Sequence, residues 1–353
     1  MNNETAGSVS AKLYSNTIFQ GSIMSARSFF QNFNPGIRSN AVDELKCKYC
    51  DGDSKFITIN GMNIHYKDQG QGPVLVLLHG VVSFLHTWDG WYDELKDRYR
   101  IIRLDLPGWG LTGPSPDEDY LAGAMNAYLD SFLGALGVRR CYMAGNSLGG
   151  YYAWNYAVHR PDMIEKLVLL DPIAYNQSLP YEFRLAQIPG AKPIINNFML
   201  PRLLIKTSIE RLYGRKERIT PAVYDMYWDL IMREGNRRTL TKVFKFIADM
   251  SRSDTIYLDV KKVRVPVLMA WGRRDIWSRW KETLEEWKRD LPQAELVLYD
   301  NCGHMPMEEI PIESARDAHA FFMKGKKPAA KKKEALRNAG NTRPARRRAV
   351  TAG

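Results

Sequence analysis

The chain has 353 residues, 45% hydrophobic and 25% charged, which suits one large α/β domain with an insertion, or two domains, of ordinary globular composition. Its net charge of +11 is uneven: from Lys324 onward eleven Lys/Arg face one acid, Glu334, so residues 1–323 are close to neutral and the basicity is a tail. Four cysteines exclude a disulfide framework at this size, and with no apolar run of about eighteen residues and no basic-then-apolar leader, the expectation is a cytoplasmic protein without a transmembrane segment.

Residues 1–53 read as a disordered or loosely docked arm, rich in Asn and Ser and without periodicity apart from a Met24–Phe33 segment carrying Phe29, Phe30 and Phe33. Cys47 and Cys50 form a lone C-x-x-C with no second pair, so neither a metal nor a cofactor is expected there. Structure is expected from about Ser54. Two β-rich runs, Phe56–Ile59 and Met62–Tyr66, flank Asn60-Gly61, a hairpin signal. Pro73–Leu78 is continuously apolar, as in a strand buried on both faces, and ends in His79-Gly80. Tyr99–Leu104 is the next strand, and helical spacing runs from Leu121 to Leu136 before Gly137.

The apolar Cys141–Ala144 then runs into Gly145-Asn146-Ser147-Leu148-Gly149-Gly150 and a helix ending near His159. A serine with glycine two residues before and two after, between strand and helix, makes a turn so tight that larger flanking side chains would collide with backbone. Its hydroxyl stands at the tip, with the positive end of the following helix behind it. Lys166–Asp171 is another strand; from Pro172 to Val260 the alternation gives way to helical periods rich in aromatic, Met and Arg residues. Strand rhythm returns at Val265–Gly272 and Ala294–Tyr299, with helices at Arg279–Arg289 and Ile312–Met323. Short apolar strands alternating with helices mean a mostly parallel sheet covered on both faces. The organisation is a core of 54–171 and 261–323, a helical cap inserted at 172–260, and a disordered basic tail at 324–353.

A serine hydroxyl needs a base, and the base an acid to orient it; in an open α/β sheet both should lie at carboxyl ends of strands. Among six histidines, His304 in Asn301-Cys302-Gly303-His304 directly follows the last strand. His65 lies within a strand, His159 at the far end of the elbow helix and His319 on the last helix. For the acid, Asp275 follows the strand ending at Gly272, with Asp171 as its rival. The order Ser147, Asp275, His304 is Ser…Asp…His.

Over roughly 54–323 the chain resembles the α/β-hydrolase-fold serine hydrolases. The resemblance rests on the elbow Gly145-x-Ser147-x-Gly149, on His79-Gly80 followed by Ser83 and Trp88, on Asp105-x-Pro107-Gly108-x-Gly110, and on the Gly272-x-x-Asp275 and Gly303-His304 loops. It implies an eight-stranded, mostly parallel sheet with an inserted helical cap, and an oxyanion hole from the backbone N–H groups of Val81 and Leu148. His79, Asp105, Gly108 and Gly110 would shape that surface rather than do chemistry. Relatives that open epoxides or remove halogens carry Asp at the elbow, so Ser147 points to ester hydrolysis through an acyl-enzyme. Relatives that hydrolyse carbon–carbon bonds of ring-cleavage dienoates share a G-N-S-x-G-G elbow but typically place Trp after the base, where this chain has Met305. A non-catalytic ligand-binding or receptor protein on the same fold is the reading of another class.

The cap's apolar content fits a small hydrophobic acyl or aryl ester, or equally the cap's own core. The tail is too charged to pack. It is either a solubilising extension or a non-specific contact for a polyanion or an anionic membrane surface; it lacks the interleaved aromatics that stack bases.

Overall fold

Strands β1 (Lys55–Ile59) and β2 (Met62–Gln69) pair antiparallel across Asn60-Gly61. Both turn residues have positive φ, 49° and 78°, the geometry that matches the twist of a two-residue hairpin. The computed structural model describes residues 35–185, 187–252 and 256–325; the Met24–Phe33 segment and nearly all of the basic tail lie outside them. The remaining strands are β3 (Val74–Leu78), β4 (Arg100–Leu104), β5 (Cys141–Asn146), β6 (Ile164–Leu170), β7 (Val267–Gly272) and β8 (Glu295–Tyr299). Together they form one eight-stranded sheet in the order β1-β2-β4-β3-β5-β6-β7-β8. β2 meets β4 antiparallel, and every pairing from β4 to β8 is parallel. The carboxyl ends of six strands therefore share one edge, where an open α/β sheet gathers its functional groups.

All residues of β5 and β7 are buried, which requires cover on both faces and explains their continuous apolar runs. Helices α1 (Val42–Tyr49), α2 (Asp89–Leu95), α3 (Ala122–Ala135) and α4 (Leu148–His159) come before the insertion. Between β6 and β7 lie the cap helices α5 (Tyr181–Leu185), α6 (Ala191–Asn197), α7 (Arg202–Leu212), α8 (Pro221–Ile231) and α9 (Asn236–Met250). After β7 come α10 (Trp280–Asp290), α11 (Pro306–Glu309) and α12 (Pro311–Met323). The cap helices have local start signals. At α8, Pro221 occupies the first turn and the Thr220 hydroxyl accepts from the Val223 N–H at 3.3 Å. No helix among the described residues is long and apolar enough to cross a membrane.

Order begins before Ser54, where the sequence suggests it should. In α1 Leu45 is buried, while Lys48 and the Tyr49 hydroxyl both reach the Asp229 carboxylate of α8, at 2.5 and 2.7 Å. Just upstream, the Asn40 N–H donates to the Met232 carbonyl at 2.7 Å. The partners lie far along the chain, so no local period announces the helix; its hold is tertiary.

Candidate active site

Ser147 sits between β5 and α4 at φ 55°, ψ −117°. Its N–H donates to the Leu170 carbonyl of β6 at 2.9 Å, and its own carbonyl accepts from Tyr151 N–H at 3.0 Å. The flanking glycines are forced by close approach. A Cβ on Gly145 would lie 2.3 Å from the Gly149 carbonyl oxygen, and one on Gly149 would lie 2.3 Å from that of Leu78. Backbone on both sides cannot give way. Among the described residues five non-glycines have positive φ, and three of them lie at this edge: Ser147 and Asp171 directly follow β5 and β6, and Val82 lies in the loop after β3. Such conformations cost about 1–3 kcal/mol each and persist where the surroundings over-determine them; here they converge on one place.

The His304 loop is tied on two sides. Its N–H donates to the Leu212 carbonyl at the end of α7, at 2.6 Å. Its carbonyl accepts from the Asn146 amide at 2.9 Å, which brings it beside the elbow. Nδ1 of His304 lies 2.8 Å from Oδ2 of Asp275. The Asp275 carboxylate also accepts from the N–H groups of Trp277 and Ser278, at 2.7 and 3.2 Å. A carboxylate ringed by donors assigns the His304 proton to Nδ1 and leaves Nε2 as the acceptor. The Trp277 ring stacks on the imidazole, with centroids 6.2 Å apart and planes 28° apart.

Asp171, the rival acid, belongs to the same cluster. Polar atoms of Asp171, Asp275 and His304 all lie within 4.8 Å of one another. Oδ1 of Asp171 accepts the Gly272 N–H at 3.0 Å, while Oδ2 is buried without a partner. Burial, reinforced by the charge of Asp275, pushes the Asp171 carboxyl well above the usual range. That shift favours the protonated form of Asp171 beside the Asp275 carboxylate. The trio is also the group of described side chains close enough to share a metal ion, but both Asp275 oxygens and Oδ1 of Asp171 are already occupied by the His304 ring and the N–H groups of Trp277, Ser278 and Gly272.

The proposed oxyanion donors flank the elbow. Leu148 opens α4, where first-turn N–H groups have no intrahelical partner. Val81 follows Gly80, whose Cβ position lies 3.2 Å from Ser147 Cβ. His79 fixes this loop: Nδ1–H donates to the Gly80 carbonyl at 2.8 Å, and Nε2 accepts the Leu106 N–H at 2.9 Å. Burial pulls the His79 pKa down to about 4, which keeps Nε2 free to accept. Asp105 braces the neighbouring turn through the Leu85 and Leu111 N–H groups, both at 2.8 Å.

His65 completes a second Ser–His–Asp arrangement that strand position alone did not reveal. Nδ1 lies 2.8 Å from Asp105 Oδ2, and Nε2 lies 3.1 Å from Ser54 Oγ. Burial raises the Asp105 carboxyl, but His65, His79 and His86 outweigh it and hold it at about 2. Ser54 directly precedes β1, and its hydroxyl is also engaged by Asp51. This relay staples β1, β2 and β4 together.

Beside the elbow lies an apolar cavity of about 60 Å³ under the cap, with Val81, Leu204, Leu212, Phe244, Trp277 and Glu182 among its walls. Small-molecule sites run to roughly 300–1,000 Å³, so a ligand of any length requires the cap to give way. Ser147, 3% exposed, is not among the walls; the cavity reaches the site through Val81 and Trp277. Buried Glu309 ties the turn after α7 to the base loop. Its Oε2 accepts the Gly214 N–H at 2.9 Å, and its Oε1 accepts the Gly303 N–H at 2.7 Å.

The chain's similarities agree with this layout. Residues 75–318 match the profile of the alpha/beta hydrolase family. A 2-hydroxy-6-oxo-6-phenylhexa-2,4-dienoate hydrolase of Burkholderia cepacia is 27% identical over 266 residues, covering 71% of this chain and 90% of that protein. The crystal structure of a membrane phospholipase A, a bacterial virulence factor, superposes with a TM-score of 0.62 at 26% identity, covering 76% of this chain and 85% of the other. A thermophilic esterase from Thermogutta terrifontis shares the fold, with a TM-score of 0.62 at 23% identity over 77% of this chain and 98% of its own. Because that profile spans well over half of its residues, this chain belongs to the alpha/beta hydrolase family.

Proposed function

We propose that the protein is a serine hydrolase that cleaves carboxylic esters of hydrophobic acids through an acyl-enzyme. The observation that carries this reading is the 2.8 Å bond between His304 Nδ1 and Asp275 beside a serine held at φ 55°. Ser147 Oγ attacks the ester carbonyl as His304 Nε2 takes its proton, and the oxyanion forms against the N–H groups of Leu148 and Val81. His304 then gives the proton to the departing alcohol, and water, activated by the same imidazole, releases the acid. Each oxyanion donor supplies roughly 3 kcal/mol of transition-state stabilisation.

Carbon–carbon hydrolysis of a ring-cleavage dienoate is the second reading, favoured by the named relative and the Gly-Asn-Ser-Leu-Gly-Gly elbow. A dienoate carries a carboxylate, and the carboxylate of Glu182 on the cavity wall opposes it. Turnover of p-nitrophenyl butyrate against a ring-fission dienoate separates the two. Ser147→Ala and His304→Ala should each lose nearly all ester turnover, and fluorophosphonate should label the parent but not Ser147→Ala. Undiminished turnover in Ser147→Ala refutes the mechanism; an unlabelled, inactive parent points to a ligand-binding protein.

A further inference from the structure

Two residues in the wall of the largely apolar cavity each carry an orphaned, buried polar atom. Glu182, on α5, is 6% exposed. Its Oε1 accepts from Arg211 Nε at 3.0 Å, while Oε2 is buried with no hydrogen-bond partner. Trp277, also 6% exposed, has its Nε1–H buried and likewise without a partner. An acceptor and a donor left unsatisfied in a dry site are costly on their own. Both belong to residues that wall the space where the acyl group would lie.

We propose that the cavity selects a hydroxylated acyl chain, whose O–H donates to Glu182 Oε2 and whose oxygen atoms include an acceptor for Trp277 Nε1–H. This deepens the ester-hydrolase reading and rests on it. The charge on Glu182 decides the chemical class. Arg211 already pairs with that carboxylate, so no net negative charge remains to draw in an ammonium group. A substrate carboxylate is acceptor-only and has no hydrogen to give the unpartnered Oε2. A neutral donor is what remains, and a hydroxyl supplies donor and acceptor from one atom. The surrounding Leu204, Leu212 and Phe244 accommodate the methylenes that carry it. Trp277 also joins the pocket to the chemistry: its backbone N–H holds Asp275 and its ring stacks on His304.

The test is a series of p-nitrophenyl octanoates bearing one hydroxyl at each position from C3 to C8, compared with unsubstituted octanoate and the half-ester of suberic acid. One positional isomer should exceed the plain octanoate in kcat/KM by about ten- to a hundredfold, mostly through KM, and the half-ester should be the poorest substrate. Glu182→Leu should abolish that preference and raise kcat/KM for plain octanoate, a gain that structural damage does not produce. Glu182→Gln keeps an acceptor oxygen and should retain part of the preference, so the proposal stays testable if the leucine variant misfolds. No preferred isomer, or a preference that survives Glu182→Leu, overturns the proposal and leaves Glu182 as a wall residue satisfied by trapped water. Absence of turnover on every ester would instead overturn the ester-hydrolase reading beneath it.

Discussion

Asp275 and Asp171 lie within reach of one imidazole, and exchanging each for asparagine separates their parts. In Asp275→Asn the amide oxygen must face the N–H groups of Trp277 and Ser278, which now approach Oδ1 at 2.7 and 3.2 Å. The NH₂ then faces His304 Nδ1, where Oδ2 now stands at 2.8 Å. Two donors cannot share that line, so the imidazole moves its proton to Nε2 and can no longer take one from Ser147. A triad trapped in the wrong tautomer loses about 10⁴ in kcat, on the order of 5 kcal/mol. Asp171→Asn behaves differently because burial favours the uncharged form of Asp171, which a neutral amide resembles. Its amide oxygen can accept the Gly272 N–H while its NH₂ replaces the O–H toward Asp275, so kcat should stay within about threefold, well under 1.4 kcal/mol. The assay is steady-state p-nitrophenyl butyrate hydrolysis near pH 8, with thermal melts to show that both variants fold. The reverse ranking would show that the acid belongs to β6 and that the Asp275 bond is structural.

Glu308 accepts from the Tyr213 and Tyr227 hydroxyls at 2.7 and 2.9 Å, and burial pushes its carboxyl from 4.5 up to about 7. The folded state therefore binds more protons between those values, so this group's contribution to stability falls as pH rises through the window, by on the order of 3 kcal/mol, and levels off above it. Glu308→Gln should flatten the pH dependence of Tm between pH 4.5 and 8 relative to the parent; an unchanged difference curve would show that Glu308 titrates normally. Gly149→Ala places a Cβ 2.3 and 2.4 Å from the Leu78 and His79 carbonyl oxygens; it should cost about 3 kcal/mol of stability and abolish turnover, and a native melt with full activity would contradict the elbow geometry. Removing residues 324–353 takes away about ten net positive charges and should leave turnover and Tm nearly unchanged. Any salt-sensitive binding to anionic vesicles or duplex DNA should disappear with them, and equal binding by the shortened chain would place the contact on the folded body.

Much of this layout could be read from the chain because its signals are local. Asn60-Gly61 needs only its own dihedrals, and buried parallel strands declare themselves as apolar runs. Once the strands were in order, their ends narrowed the base to His304 and the acid to Asp275 or its rival Asp171, and the structure places Asp275 2.8 Å from His304. What stayed hidden depends on distant partners. Helix α1 is held by Asp229 of the cap. Asp171 turns into the cluster because its backbone adopts φ 46° past the end of β6, which no sequence period encodes. Glu182 lies in a short helix of an irregular insertion, and its environment follows from a bond to Arg211 in a different helix. His65 looked like an ordinary strand residue because its acid lies on β2's neighbour rather than beside it in the chain.

The bonds from His304 N–H to Leu212 and from Glu309 to Gly214 and Gly303 bear on how this chain could be recombined with its relatives. A cap exchanged as an independent module would arrive without the carbonyl that seats the imidazole and without the amide that Glu309 expects. Such a chimera would lose rate on every substrate rather than trade one specificity for another. The natural seam for an exchange therefore lies before α7, leaving Arg202–Leu212 and the turn after it with the recipient, so that the graft carries selectivity while the recipient keeps its own catalytic frame.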